Sequence, residues 1–210
     1  MRIGELSRRT GVSVPTIKYY VREGLLPAGE LTSPNQASYG ETHERRLRLV
    51  RALLDVGGLS VAGIREILEA IEDRDRPVHK MLGTAADRVV PRYSEEAGEG
   101  VAEARATVAE LVDRRGWHTY DDSPAAEALA VALAALTEIG HADFAEVLDA
   151  YAGAAEQVAG ADLQYVARNV EREELVESVV VGTVLGDAVF AALRRLAHVD
   201  ASRKVFGMGE

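Results

Sequence analysis

Cysteine is absent from the 210 residues. That excludes disulfide frameworks, thiolate metal sites and cysteine nucleophiles. Aromatic side chains are scarce, at 5%, while alanine and valine abound, a balance that points to a helical build. Long unbroken apolar runs are also missing. The most apolar stretch, Leu175 to Leu193, contains Glu177 and Asp187 and makes a poor membrane span. Glu5, Arg8 and Arg9 interrupt the first ten residues, so no charged-then-apolar leader pattern is expected there. What is present, 47% hydrophobic and 28% charged residues, is a globular composition. The expectation is a soluble, cytoplasmic protein with no membrane partner.

Positive charge is in deficit, with a formal net charge of −10, which at first sight argues against nucleic acid. The deficit is uneven. Residues 1–70 hold 10 Lys/Arg against 8 Asp/Glu, whereas residues 71–210 hold 14 against 26. Screening over about 10 Å in ordinary salt keeps such fields local, so an acidic body can coexist with a DNA-binding face.

The first seventy residues are rich in helix punctuation. Ile3–Thr10 reads as a helix ended by Gly11, which can take the left-handed turn into the next helix. Ser13 suits an N-cap, and Pro15 falls in the first turn, where a missing N–H costs nothing. Val14, Ile17 and Val21 make one apolar stripe, and Thr16, Lys18, Tyr19 and Arg22 project elsewhere, with Tyr20 at the boundary. Gly24 ends this helix. Two short helices joined by a glycine turn form a helix-turn-helix pattern. From Leu25 to Tyr39, Pro27, Gly29, Pro34 and Asn35 break the period, giving two extended pieces around a loop, a wing. A third helix, capped by Thr42, carries Leu47, Val50, Leu53 and Leu54 on its apolar face and Arg45, Arg46, Arg48 and Arg51 elsewhere. Gly57-Gly58 stop it, and Ser60 caps a fourth helix with Ile64, Ile67, Leu68 and Ile71 as its stripe.

The run MRIGELSRRTGVSVPTIKYYVREGLLP, the wing containing Tyr39, and RLRLVRALLDVGGLSVAGIREIL together resemble the DNA-binding domain of the MerR family, most specifically between Thr10 and Pro27. The resemblance covers about the first seventy residues and implies a winged-helix transcription regulator acting as a dimer. It places Thr16 and Lys18 where the family's recognition helix enters the major groove. There a lysine donates to guanine acceptors or serves a phosphate. Tyr20 and Tyr39 match family tyrosines whose hydroxyls hold phosphates while their rings pack on protein; a simple core role is the alternative, and Tyr19 lies beside them. The expected DNA contacts are Ser13, Pro15, Thr16, Lys18, Tyr19, Tyr20, Arg22, Gln36, Ser38, Tyr39 and Arg45.

The wing departs from the family pattern. Asn35-Gln36-Ala37 stands where Gly-Tyr-Arg is common, and Leu31 replaces a usual basic residue. For every phosphate that the wing leaves without a cation, the salt dependence of binding flattens by about one unit of slope. Either weaker binding or a different wing placement follows, and uncharged hydrogen bonds from Asn35, Gln36 and Ser38 remain available.

Residues 74–116 occupy the place of the family's linker and dimerisation helix. Val78, Leu82, Ala85 and Val89, then Val101, Ala104, Val108 and Leu111, repeat at seam-like spacings. Pro91 between them predicts a break and two helical pieces. Beyond Gly116, Asp121-Asp122-Ser123-Pro124 is a helix start. Residues 117–210 then read as an all-helical effector or assembly domain. Leu129, Leu133, Leu136 and Ile139 trace one helix, Phe144, Val147, Leu148 and Tyr151 a second, and Leu163 to Val170 a third. The valine-rich stretch from Leu175 reads as a strand in isolation, but its continuation to Leu193 favours a buried helix, with Gly182 and Gly186 allowing close approach of another helix.

Family resemblance makes this domain a sensor. Trp117, Tyr120, Tyr151, Tyr165 and Phe190 are the candidate lining for an apolar or aromatic ligand, core filling being the plainer role for each. His141 and Asp143, with His79, His118 and His198, are the weaker reading as a metal set, so no metal and no cofactor is expected. No Gly-rich phosphate loop, Ser–His–Asp ordering or paired-acid motif occurs, and Glu171, Glu173 and Glu174 read as a solvated face, so no enzyme is expected.

The resulting expectation is a mainly α protein: a winged helix-turn-helix over 1–73, linker helices over 74–116, and a helical bundle over 117–210. It would bind a palindromic promoter operator as a homodimer and distort the spacer DNA for RNA polymerase, in response to a small ligand not held by thiols. The alternatives are an architectural DNA-binding protein without an effector, or an autoregulated protein that sequesters a drug-like compound.

Overall fold

In the computed structural model, residues 1–33, 36–72, 83, 87, 100–120, 122–168, 178 and 181–207 are described. The chain is mainly helical with one two-stranded sheet. It divides into two compact units, Met1–Ala85 with Asn169–Glu210, and Ala86–Arg168.

In the first unit, α1 (Ile3–Thr10) and α2 (Val14–Arg22) meet at Gly11, whose φ of 70° is the left-handed turn that glycine adopts without strain. The Ser13 hydroxyl accepts the Thr16 backbone N–H at 3.2 Å and caps α2. Strands β1 (Glu30–Ser33) and β2 (Gln36–Ser38) pair antiparallel, Glu30 opposite Ser38. Next come α3 (Glu41–Asp55) and α4 (Val61–Glu72). Leu6, Ile17, Leu25, Leu26, Leu47, Val50, Leu53, Ile64, Ile67 and Leu68 are fully buried and form the core that α1 to α4 share.

Two local expectations are corrected. The α3 N-cap is Gly40, not Thr42, since the His43 ring nitrogen Nδ1 takes the Gly40 N–H at 3.1 Å and the helix starts earlier. On α2 the buried positions are Ile17 and Tyr20, with Val14 and Val21 only half-buried, so Tyr20 belongs to the core.

Farther along the same unit, a single π turn (Val181–Leu185) leads into the C-terminal α-helix Gly186–Phe206. Residues 181–206 are thus helical, not a strand, but the expected burial stops early. Val184 is buried against the end of α3, where Gly57 leaves room: a Cβ there would fall 2.6 Å from Val184 Cγ1. Within Gly186–Phe206 no described residue is buried, and Val189, Leu193, Leu196, Val199 and Phe206 are exposed.

The second unit packs α5 (Val101–Arg115), α6 (Pro124–Glu138), a 3-10 turn (Ala142–Val147) and α7 (Leu148–Ala167); the C-terminal helix is α8. Val101, Ala104, Val108 and Leu111, expected as a dimer seam, are buried against Ala130, Leu133 and Ala134 of α6 and Leu148 and Ala152 of α7. The same three–four spacing serves packing within the chain. The companion run from Val78 to Val89, and the break at Pro91, lie outside the described residues. Among the described residues no helix is long and apolar enough to cross a membrane.

Candidate functional site

The outward face of α2 is built by helical spacing. Pro15, Lys18, Tyr19 and Arg22 fall at i, i+3, i+4 and i+7 and are all exposed or nearly so, while Ile17 and Tyr20 anchor the opposite face. Lys18 has no partner among the described residues. The Arg22 guanidinium lies 5.2 Å from the Tyr19 ring centroid and pairs with Glu23 at 3.4 Å. The Thr16 hydroxyl lies 2.7 Å from that of Ser13, so these two predicted DNA contacts also close the helix start. Tyr20 and Tyr39 are 7% and 8% exposed, so both rings pack on protein. Burial first, then the charge of Asp55, pushes the Tyr20 phenol up from its ordinary value.

The base of the wing is pinned by the chain start. The Met1 ammonium donates to the Tyr39 carbonyl at 2.6 Å, and the Tyr39 N–H donates to the Met1 carbonyl at 2.8 Å. The Tyr39 ring lies over Gly29, where a Cβ would sit 3.0 Å from the ring and 2.8 Å from the Ser38 carbonyl. The ring also meets His43 edge-on at 5.2 Å. Gln36 is exposed and Ser38 half-buried, and Leu31, standing where a basic residue is usual, is 80% exposed. Position 35 lies outside the described residues. Arg45 is exposed on α3.

Two organising groups have no counterpart among the sequence expectations. Glu44 is buried on α3 and receives Arg9 at 2.9 Å and Arg48 at 2.5 Å. Arg65 of α4 donates through Nε to the Glu23 carbonyl at 2.6 Å and through Nη2 to its carboxylate at 2.9 Å, which fastens the C-terminal end of α2. The signal for Glu44 is an acid with an arginine four residues on; that for Arg65 spans 42 residues and has no local trace.

Residues 1–71 match the family described as the MerR HTH family regulatory protein. A solved structure extends the likeness over the whole chain: the putative transcriptional regulator SCO5550 from Streptomyces coelicolor A3(2) is 38% identical, with a TM-score of 0.73 and full coverage of both chains. Residues 1–71 are thus a MerR-family helix-turn-helix domain, on a chain similar over its full length to a putative transcriptional regulator. Heavy metal-dependent transcription regulator 2 of Rhizobium meliloti (strain 1021) is 35% identical over 89 residues, 42% of this chain and 60% of that protein. The mercuric resistance operon regulatory protein of Bacillus cereus is 35% identical over 74 residues, 35% of this chain and 54% of that protein. The chain therefore spans little more than half the length of these curated relatives. MerR-family regulators bind DNA, and α2 with the wing lies within the matched residues.

The candidate ligand aromatics are placed as follows. Tyr120 lines a cavity of about 530 Å³ between α5 and α6, but Trp117, Tyr151 and Tyr165 are not among its described lining residues. Trp117 Nε1 donates to Glu156 at 3.0 Å, and Tyr151 meets Phe144 edge-on at 5.7 Å. Phe190 belongs to α8 in the other unit. At the cavity rim, Arg105 grips Glu127 through two hydrogen bonds of 2.8 and 2.6 Å, which holds the Glu127 carboxyl below its usual range. Among the described residues no group of three His, Asp or Glu side chains is placed to hold a metal.

Proposed function

We propose that this regulator binds a two-fold symmetric promoter operator as a homodimer, reading it with α2 and resting the wing on the flanking backbone. Binding bends and untwists the spacer so that RNA polymerase engages both promoter elements, and a small ligand held by the second unit biases that distortion. The observation that carries the DNA-reading part is the outward stripe of Pro15, Lys18, Tyr19 and Arg22 on a helix fixed at both ends, by the Ser13 cap and by Arg65. A side chain that reads base edges must start from a rigid element, and Lys18 is the group on that stripe whose charge no neighbour neutralises among the described residues.

Support for a dimer comes from α8. Val189 and Leu196 stand seven residues apart, as do Val199 and Phe206, in a heptad pattern left open on its surface. A second copy is the natural occupant, since a symmetric operator presents two half-sites. The metals named for the relatives are not carried over, because a chain without cysteine offers no thiolate to bind them.

Footprinting of the full chain on the DNA upstream of its own gene tests the reading. The expected result is a symmetric protected block with enhanced cleavage at its centre. Protection without symmetry, or none, would overturn it.

A further inference from the structure

We propose that the cavity between α5 and α6 is a binding site for an organic cation with an apolar or aromatic body; this rests on the second unit being the ligand-binding part of the regulator. The volume, about 530 Å³, falls within the span of roughly 300–1,000 Å³ typical of small-molecule sites. Val108, Val112 and Ala126 supply apolar wall. Beside them the Tyr120 ring is 48% exposed, and its hydroxyl donates to Asp87 at 2.5 Å, which fixes the ring. A fixed, accessible aromatic face is a surface that attracts cations.

The charge balance selects the sign of the ligand. Arg105, the cation at the rim, is closed off by its two bonds to Glu127, and together they are neutral. Asp113 and Asp122 also line the cavity, and neither has a cationic partner among the described residues. With Asp87 behind Tyr120, the cavity presents carboxylates to anything that enters. The Tyr120 phenol registers that field: it is pushed up to about 12, by burial first, then by the hydrogen bond and charge of Asp87, and then by Asp122. An anion would meet repulsion with Arg105 already engaged. A hard divalent ion needs about six oxygen ligands, which two rim carboxylates between apolar walls do not supply. A single positive charge spread over an apolar skeleton satisfies both the carboxylates and the walls.

The test uses the full-length protein and two forms of one triarylmethane skeleton, the crystal violet cation and its uncharged leuco form. Titration calorimetry near neutral pH should give one cation per chain, bound about tenfold more tightly than the leuco form. Asp113→Asn and Asp122→Asn should each weaken the cation by about two- to fivefold, as exposed carboxylates do, and leave the leuco form unchanged. Glu110→Gln, which removes an exposed acid of α5 outside the cavity, should change neither. Equal affinity for the two forms, an unaffected Asp113→Asn/Asp122→Asn double variant, or an equal loss in Glu110→Gln would overturn the proposal. Promoter binding, measured in parallel without dye, separates the failures. Tight leuco binding with a weak cation overturns the charge class but leaves ligand sensing standing. No binding of either form with promoter binding intact overturns the cavity as the site and leaves DNA reading standing.

Discussion

The proposed DNA-reading face of α2 and the α5–α6 cavity differ in the charge that local pairing leaves over. In the N-terminal domain three carboxylates are paired: Glu44 takes Arg9 and Arg48, Asp55 takes Arg51 at 2.7 Å, and Glu23 takes Arg65. Lys18 is left projecting from α2. In the second unit the three arginines of α5 are paired: Arg105 with Glu127, and Arg114 and Arg115 with Asp149 at 3.1 and 3.3 Å. Asp113 and Asp122 are left at the cavity. The net charge of −10 describes neither surface. Which groups remain after local pairing decides the partner that each surface attracts.

The largest test of this contrast removes the support under the reading face rather than the face itself. Ile17 is fully buried beneath α2, so Ile17→Ala should cost about 2–5 kcal/mol in denaturant unfolding and abolish promoter binding near the new melting temperature. An effect below about 0.5 kcal/mol would mean that α2 is not anchored as described. Second in size, Lys18→Ala should leave stability unchanged but remove about 1–3 kcal/mol of operator affinity, with a smaller loss on random DNA. Equal losses on the two DNAs would make Lys18 a phosphate contact.

The smallest test concerns the cavity and pH. The folded value of the Tyr120 phenol, about 12, lies above the ordinary 10. Its contribution to stability is therefore complete below pH 10 and lost as pH rises from 10 through about 12. Tyr120→Phe should flatten that alkaline decline in thermal melts, and an unaltered decline would deny the Asp87–Tyr120 bond its role.

How much of this is legible in the sequence depends on range. Caps and breakers act over three or four residues, so Gly11, Ser13 and Gly24 mark the observed bounds of α1 and α2, and the family resemblance identifies their use. The α3 start is misplaced in the sequence because a histidine ring, not a threonine hydroxyl, answers the free N–H. The stripe of Val101, Ala104, Val108 and Leu111 is legible as apolar but not as facing α6, since periodicity names a buried face and not its neighbour. The lining of the α5–α6 cavity is likewise beyond the reach of periodicity. A cavity is a convergence of distant residues, and Tyr120 meets Asp87 across 33 positions. Composition singles out aromatics, whereas Asp113 and Asp122, unmarked as ligand contacts in any pattern, complete the lining.

The most direct measurement is the ratio of affinities for the upstream promoter fragment and for a scrambled fragment of equal length, taken across a salt series. A reader with one exposed lysine on its stripe and a wing without cations should hold a ratio of about 1,000 or more, while its salt slope stays shallow because few phosphates are neutralised. A ratio near one at every salt concentration would contradict sequence-specific reading by α2.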